Sequence, residues 1–184
     1  MDISSLMTTL LSDESVKGVS KKSGVSDDMV ESILESALPA LLKGAKEQAN
    51  GKDTAESFAG ALMQHAKSDT SDLAAFMDGV DLEDGAKIIA HLLGADTDNQ
   101  KKKAAKKAGA SAKSTATVLA MAAPLLMSLL GKQTEEENEK EDVGGLMGSL
   151  LQNADIGDLA KLLLGKKKEG LDLGDIAKLL KKLL

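Results

Sequence analysis

Lys106–Lys132, KKAGASAKSTATVLAMAAPLLMSLLGK, decides how the rest of this chain reads. Between Val118 and Leu130 only Ser128 is polar, so a helix here has no face suited to water and belongs inside a core. The run is about thirteen residues long and contains Pro124, short of the ~20 apolar residues that a membrane-spanning helix needs. The expectation is a buried central helix. An earlier copy of the stretch lies at a constant offset of 85 residues. Lys21/Lys106, Lys22/Lys107, Gly24/Gly109, Ser26/Ser111, Leu34/Leu119, Ala37/Ala122, Pro39/Pro124 and Leu41/Leu126 are identical without a gap. Ile3/Ile88, Asp13/Asp98 and Lys17/Lys102 extend the match backwards, which defines repeats at 3–46 and 88–131.

Around these copies the composition is narrow. The chain has 184 residues, no Cys, Trp or Tyr, and two Phe, so its apolar content rests on Leu, Ala, Met and Val. Leu, Ala and Met favour helices, whereas strands draw on β-branched and aromatic residues. Without cysteine there is no disulfide framework and no thiolate ligand or nucleophile. All 23 basic residues are lysines, so the bidentate guanidinium fork for phosphate and carboxylate is absent. The start, MDISSLMTTLLSDE, lacks the basic segment and long apolar run of a secretory signal, and a cytoplasmic location is expected.

Periodicity predicts three helices per copy. In the first they cover Ile3–Leu11, Glu14–Ser23 and a long helix after Ser26. In that long helix Val30, Ile33, Leu34, Ala37, Leu38, Leu41, Leu42 and Ala45 fall on one face. Its opposite face carries Asp27, Asp28, Glu31, Glu35 and Lys43. Gly24 suits the left-handed end of one helix and Ser26 the N-cap of the next. The insert at 50–85 reads as a helix opened by an Asp53/Glu56 capping box, with Phe58, Leu62 and Met63 inward, then a short helix over Asp72–Met77. The second copy opens with a helix over Ala86–Leu93. Residues 134–142, TEEENEKED, form an acidic linker with no apolar side chain. The tail at 143–184 holds a tandem pair, DIGDLAKLL at Asp155 and DLGDIAKLL at Asp172, each an amphipathic helix.

Motifs that carry chemistry are scarce. Asp78, Asp81, Glu83 and Asp84, and likewise Asp96, Asp98 and Asn99, lack EF-hand spacing and read as turns and N-caps. No phosphate-binding glycine loop, nucleophile elbow or zinc spacing occurs. His91 lies beside an apolar stripe and reads as a hydrogen-bonded packing residue, because general-base work needs an orienting partner and a cleft. No catalytic, cofactor-binding or metal residue is therefore assigned, and the chain is not expected to be an enzyme. Over about sixteen residues, Ala104–Leu119 resembles the helix-turn-helix of the Lac-repressor family, with Ala105, Gly109, Ser111, Thr115 and Val118 at its core and turn positions. DNA recognition needs a positive helix, yet the equivalent helix of the first copy presents Asp27, Asp28, Glu31 and Glu35. Nucleic-acid binding through these turns is the alternative function, and it is disfavoured.

The helix Gly85-Ala-Lys-Ile-Ile-Ala-His-Leu-Leu-Gly94, followed by the apolar helix Leu119-Ala-Met-Ala-Ala-Pro-Leu-Leu-Met-Ser-Leu-Leu-Gly131, carries a family resemblance. Over residues 1–133 the chain resembles the YidB-like bacterial proteins, a domain family of unknown function. The resemblance implies an all-helical, cytoplasmic, non-enzymatic domain. The fold expected is all-α: two interlocked three-helix, helix-turn-helix-like repeats with a helical insert, plus a C-terminal helical tail. The function expected is that of a structural or interaction protein that associates with itself. Ile156, Leu159, Leu163, Leu173, Ile176 and Leu180 on the tail stripes are the contact residues. A membrane surface is a second partner that the basic, aromatic-free terminal helix permits, and docking on the chain's own body a third burial for its stripe.

Overall fold

The computed structural model describes residues 3–137, with side chains from Ser5 to Thr134. The repeats and insert fall within this span; the linker beyond Glu137 and the whole tail lie outside it. All regular structure here is helical. The order is α1 (Ile3–Leu10), α2 (Asp13–Ser23), α3 (Asp27–Asn50), α4 (Ala55–Ala66), α5 (Leu73–Gly79), α6 (Leu82–Leu93), α7 (Thr97–Ala108) and α8 (Ala112–Glu137), with a 3-10 turn over Gly94–Asp96.

Local chemistry accounts for the helix ends. Ser12 Oγ accepts the Ser15 amide at the start of α2, Asp72 Oδ1 the Ala75 amide at α5, and Asp81 Oδ1 the Glu83 amide at α6. Gly24 and Gly109, 85 residues apart, both end their helices in the left-handed region, at φ 68° and 64°. Each returns its amide to the carbonyl four residues back, of Ser20 and Ala105. Ser111 Oγ accepts the Ser114 amide at 2.9 Å, whereas Ser26 occupies the equivalent N-cap without a side-chain bond.

α8 is the axis of the molecule. Every residue from Val118 to Gly131 is buried, Ser128 included, and that hydroxyl donates to the Pro124 carbonyl one turn back at 2.8 Å. α1, α2, α3, α4, α6 and α7 all pack on it, most closely α4 and α6. α3 crosses to the second half and lies along α7 and against α6. Pro39 and Pro124 sit inside their helices, and the helices run on past both. By length and composition the segment Ala112–Thr134, 23 residues with mean hydropathy 1.6, is long enough to cross a membrane. The core run alone does not convey this, because flanking Ala and Thr lengthen it. Six helices enclose it here, as the core reading requires.

Three glycines set the spacing of the layers, the first being Gly44 on α3, whose added Cβ would overlap the Leu92 carbonyl of α6. A Cβ on Gly85 would overlap the Ala120 carbonyl, so α6 and α8 meet backbone to backbone. A Cβ on Gly131 would overlap the Leu62 carbonyl, which brings α8 equally close to α4.

The insert departs from its sequence reading. The N-cap of α4 is Thr54, not Asp53, and its hydroxyl turns back to donate to the Gln48 carbonyl at 2.8 Å. Asp53 stays exposed, so the capping box does not form. Phe58, Leu62 and Ala66, spaced by four, are the buried stripe, and Met63 falls off it with 54% of its surface exposed. α6 begins at Leu82 rather than Ala86, because the Asp81 cap adds a turn that carries Gly85.

Candidate interaction surface

Three surface features of the described residues stand out. The first is a groove of about 300 Å³ between α4 and α6, with Phe58, Ile88, Leu92 and Met127 as its floor. His65, Asp84, Lys87, His91, Ser57 and Gln64 form its walls. Pairing two long helices across α8 brings both imidazoles of the chain to one cleft. His65, at the end of α4, places Nε2 3.8 Å from Asp84 Oδ2 near the start of α6. That separation exceeds a hydrogen bond and counts as an ion pair only when the imidazole is protonated. A second groove of about 380 Å³ shares His65 and Asp84 and is lined further by Phe76, Val80, Asp81 and Pro124.

These walls are occupied with structural work. Ser57 Oγ donates to the Thr54 carbonyl at 2.9 Å, and Lys87 pairs with Glu83 at 3.0 Å. Neither is directed at an imidazole, so no nucleophile–base pair forms among them. His91 departs from its expected role as a packing residue. Its side chain is exposed, and the hydrogen bond at that position is made by its backbone carbonyl, which accepts from Gln48 Nε2 at 3.0 Å. Sequence spacing missed the His65–Asp84 pair because only the packing of both α4 and α6 on α8 brings those positions together.

The acidic clusters act locally. Asp81 caps α6 and the Asp78 carbonyl accepts Lys22 Nζ at 2.8 Å, as do the Met77 and Val80 carbonyls at 3.0 Å. That ammonium thus caps the C-terminal end of α5. Hydrogen bonds from Gln100 and then Asn99 hold Asp96 below the usual carboxylate range, and Ser71 does the same for Asp69. Among the described residues no three His, Cys, Asp or Glu side chains gather to hold a metal ion.

The second feature is the lysine face of α7. Ala104 and Ala105 are buried, while Lys102, Lys103, Lys106 and Lys107 are exposed and Lys101 is half-buried. The third is what the surface lacks. Among the described residues, only Met63 and Leu82 are large hydrophobics left exposed, at 54% and 41%. The tail residues Ile156, Leu159, Leu163, Leu173, Ile176 and Leu180 lie outside the described residues.

The helix-turn-helix-like pair α7–α8 keeps its tight glycine turn, but the helix in the recognition position is enclosed from Val118 onward. In the other pair, α3 exposes Asp27, Asp28 and Glu31. In its first turn α8 leaves Ala112 and Lys113 exposed. No curated protein and no solved structure matches the chain. A family model, described as "Bacterial protein of unknown function (DUF937)", matches residues 5–133, which is the whole helical body from α1 to the buried part of α8. The chain belongs to that bacterial family.

Proposed function

We propose that this is a non-catalytic assembly protein whose body carries two adhesive tail helices and joins chain to chain. The observation that carries the reading is the contrast between tail and body. The tail repeats offer continuous stripes through Ile156, Leu159 and Leu163, and through Leu173, Ile176 and Leu180. Helices this short gain their stability from burying such a stripe. Among the described residues the body offers them Met63, Leu82 and the apolar floors of two small grooves, separate patches and no continuous face to cover two stripes. Tails of neighbouring chains meet that need, and tandem copies multiply the effect of each contact. The body reads as two interlocked three-helix repeats: α3 packs on α6 and α7, and α8 packs on α1 and α2.

Light scattering on the full chain tests this, with concentration read from refractive index because neither Trp nor Tyr is present. Replacing Ile176 and Leu180 together by Asp lowers the assembled mass while helicity and melting of the body stay unchanged. An unchanged mass at micromolar concentration rules the reading out. Nucleic-acid binding is the weaker alternative, since it has only the α7 lysines behind it; salt-dependent retention on duplex DNA is its signature.

A further inference from the structure

The two helix-turn-helix-like units share a glycine turn and differ in charge. Over residues 13–35 three lysines stand among six acids, and over the matching residues 98–120 six lysines stand with one acid. Where the first unit has Gly18 and Asp28 the second has Lys103 and Lys113, and in place of Asp27, Glu31 and Glu35 it has alanine. On α2 the face through Gly18 and Lys22 is covered by α5. A Cβ on Gly18 would come within 2.9 Å of Met77 Cγ, and Lys22 Nζ is bonded to the Met77, Asp78 and Val80 carbonyls at the end of α5. α7 repeats this register with Lys103 and Lys107, both exposed, and packs on α3, α6 and α8. Lys102, Lys103, Lys106 and Lys107 make no ion pair or hydrogen bond among the described residues.

A register that receives a helix in one unit is thus open and positively charged in the other. An apolar helix like α5 cannot seat there, because Lys103 stands where Gly18 admits Met77. What fits is an acidic row of similar length. Lys102–Lys107 rises about 7.5 Å along α7, with its four exposed lysines inside about 140° of the circumference. Asp27, Asp28 and Glu31 rise about 6 Å along the start of α3 inside about 100°, and all three are exposed. We infer that the lysine row of α7 in one copy docks the acidic row of α3 in a second copy. Within one chain the rows are not joined: the lysine ion pairs of the described residues are Lys17–Asp13, Lys43–Glu47 and Lys87–Glu83, each inside one helix. A nucleic-acid duplex or a lipid surface is broader than the row and would also meet α3, which packs on α7 and carries the acids. The inference rests on the self-association reading and gives it a polar contact between bodies beside the apolar one between tails.

The test uses the full chain in two charge-reversed forms, Lys103→Glu/Lys107→Glu and Asp28→Lys/Glu31→Lys, with circular dichroism as the folding check. Light scattering is run at about 0.1 M and about 1 M salt, where screening lengths are roughly 10 and 3 Å. Each variant alone should associate roughly tenfold more weakly than wild type at low salt, with the difference lost at high salt. Mixing the two restores assembly, because the acidic α7 of one meets the basic α3 of the other. Neutral Lys103→Gln/Lys107→Gln and Asp28→Asn/Glu31→Gln forms weaken association in the same direction should either reversal disturb folding. Mass that resists these changes, or a mixture that stays as small as its components, overturns the inference. So does a lysine row whose reversal leaves the mass unchanged but abolishes binding to a short DNA duplex or to vesicles containing phosphatidylserine. Ile176→Asp/Leu180→Asp separates this contact from the tail reading, since apolar tail contacts do not weaken with salt. A loss confined to that variant leaves the tail reading standing and sinks this one, and a loss confined to the charge variants does the reverse.

Discussion

α3 and α8 hold equivalent places at the 85-residue offset, each with a proline at the same position, yet they live in opposite surroundings. α3 buries one face and leaves Asp27, Asp28, Glu31, Lys43 and Glu47 in water. α8 has no free face between Val118 and Gly131. The substitutions between the copies follow the neighbours. Glu35, Lys43 and Lys46 of α3 correspond to Ala120, Ser128 and Gly131 of α8. Ala120 is where Gly85 of α6 makes its closest approach, and Gly131 is where the Leu62 backbone of α4 does. One helical unit serves as wall or axis according to what covers its outer face, and the insert helix α4 supplies much of that cover.

The sharpest way to break this comparison is to move charges between the copies. Ser128→Lys, which installs the α3 residue in α8, should cost several kcal/mol and leave the body unfolded or molten, because a buried unpaired ammonium is so unfavourable. The reverse change, Lys43→Ser, stays within about 0.5 kcal/mol by chemical denaturation. Equal losses from both would show that the two helices are equally enclosed. Next come the shared apolar positions. Leu41→Ala and Leu126→Ala each remove a side chain at most 1% exposed, and each should cost about 2–5 kcal/mol. A melting curve like wild type for either would demote that helix to the periphery.

Gly85→Ala sharpens the explanation for Ala120. The added methyl group meets backbone, so separation of α6 from α8 should cost about 1–3 kcal/mol. Gly60, with open space at its Cβ position on α4, is the control, and Gly60→Ala gains about 0.5–1 kcal/mol from helix propensity. If both changes stabilise, the close crossing is absent. The smallest effect is at Thr115, whose buried hydroxyl has no hydrogen-bond partner among the described residues. Its counterpart in the first copy is Val30, fully buried. Thr115→Val should therefore raise stability by about 1 kcal/mol; a loss of that size would mean the hydroxyl is satisfied.

What could be read from the chain without coordinates was whatever repeats or whatever is uniform. The central position of α8 follows from its lack of polar side chains, and the turns at Gly24 and Gly109 follow from their residue types. Features made by two distant segments left no local mark. Met63 is as apolar as Leu62, and only the angle of α4 against α8 decides which one faces water. Asp53 and Glu56 have capping-box spacing, but Thr54 is drawn to the Gln48 carbonyl and the helix starts one residue later. His65 and Asp84 stand 19 residues apart in sequence, and Gly85 falls just outside the helix read over Ala86–Leu93 until the carbonyl it accommodates is seen.

Six helices pack on α8, and every one of them precedes it in the chain. During synthesis the cradle is therefore complete before its occupant appears. The segment with the strongest tendency to aggregate, or to partition into lipid, is the last of the described helices to leave the ribosome. It can be withdrawn from water as it emerges, without waiting for partners still to be made. Domains assembled in the opposite order leave such a segment exposed through most of translation, where transient apolar surface drives misassembly. The order of the helices thus protects the nascent chain in time, as their packing protects the finished molecule in space.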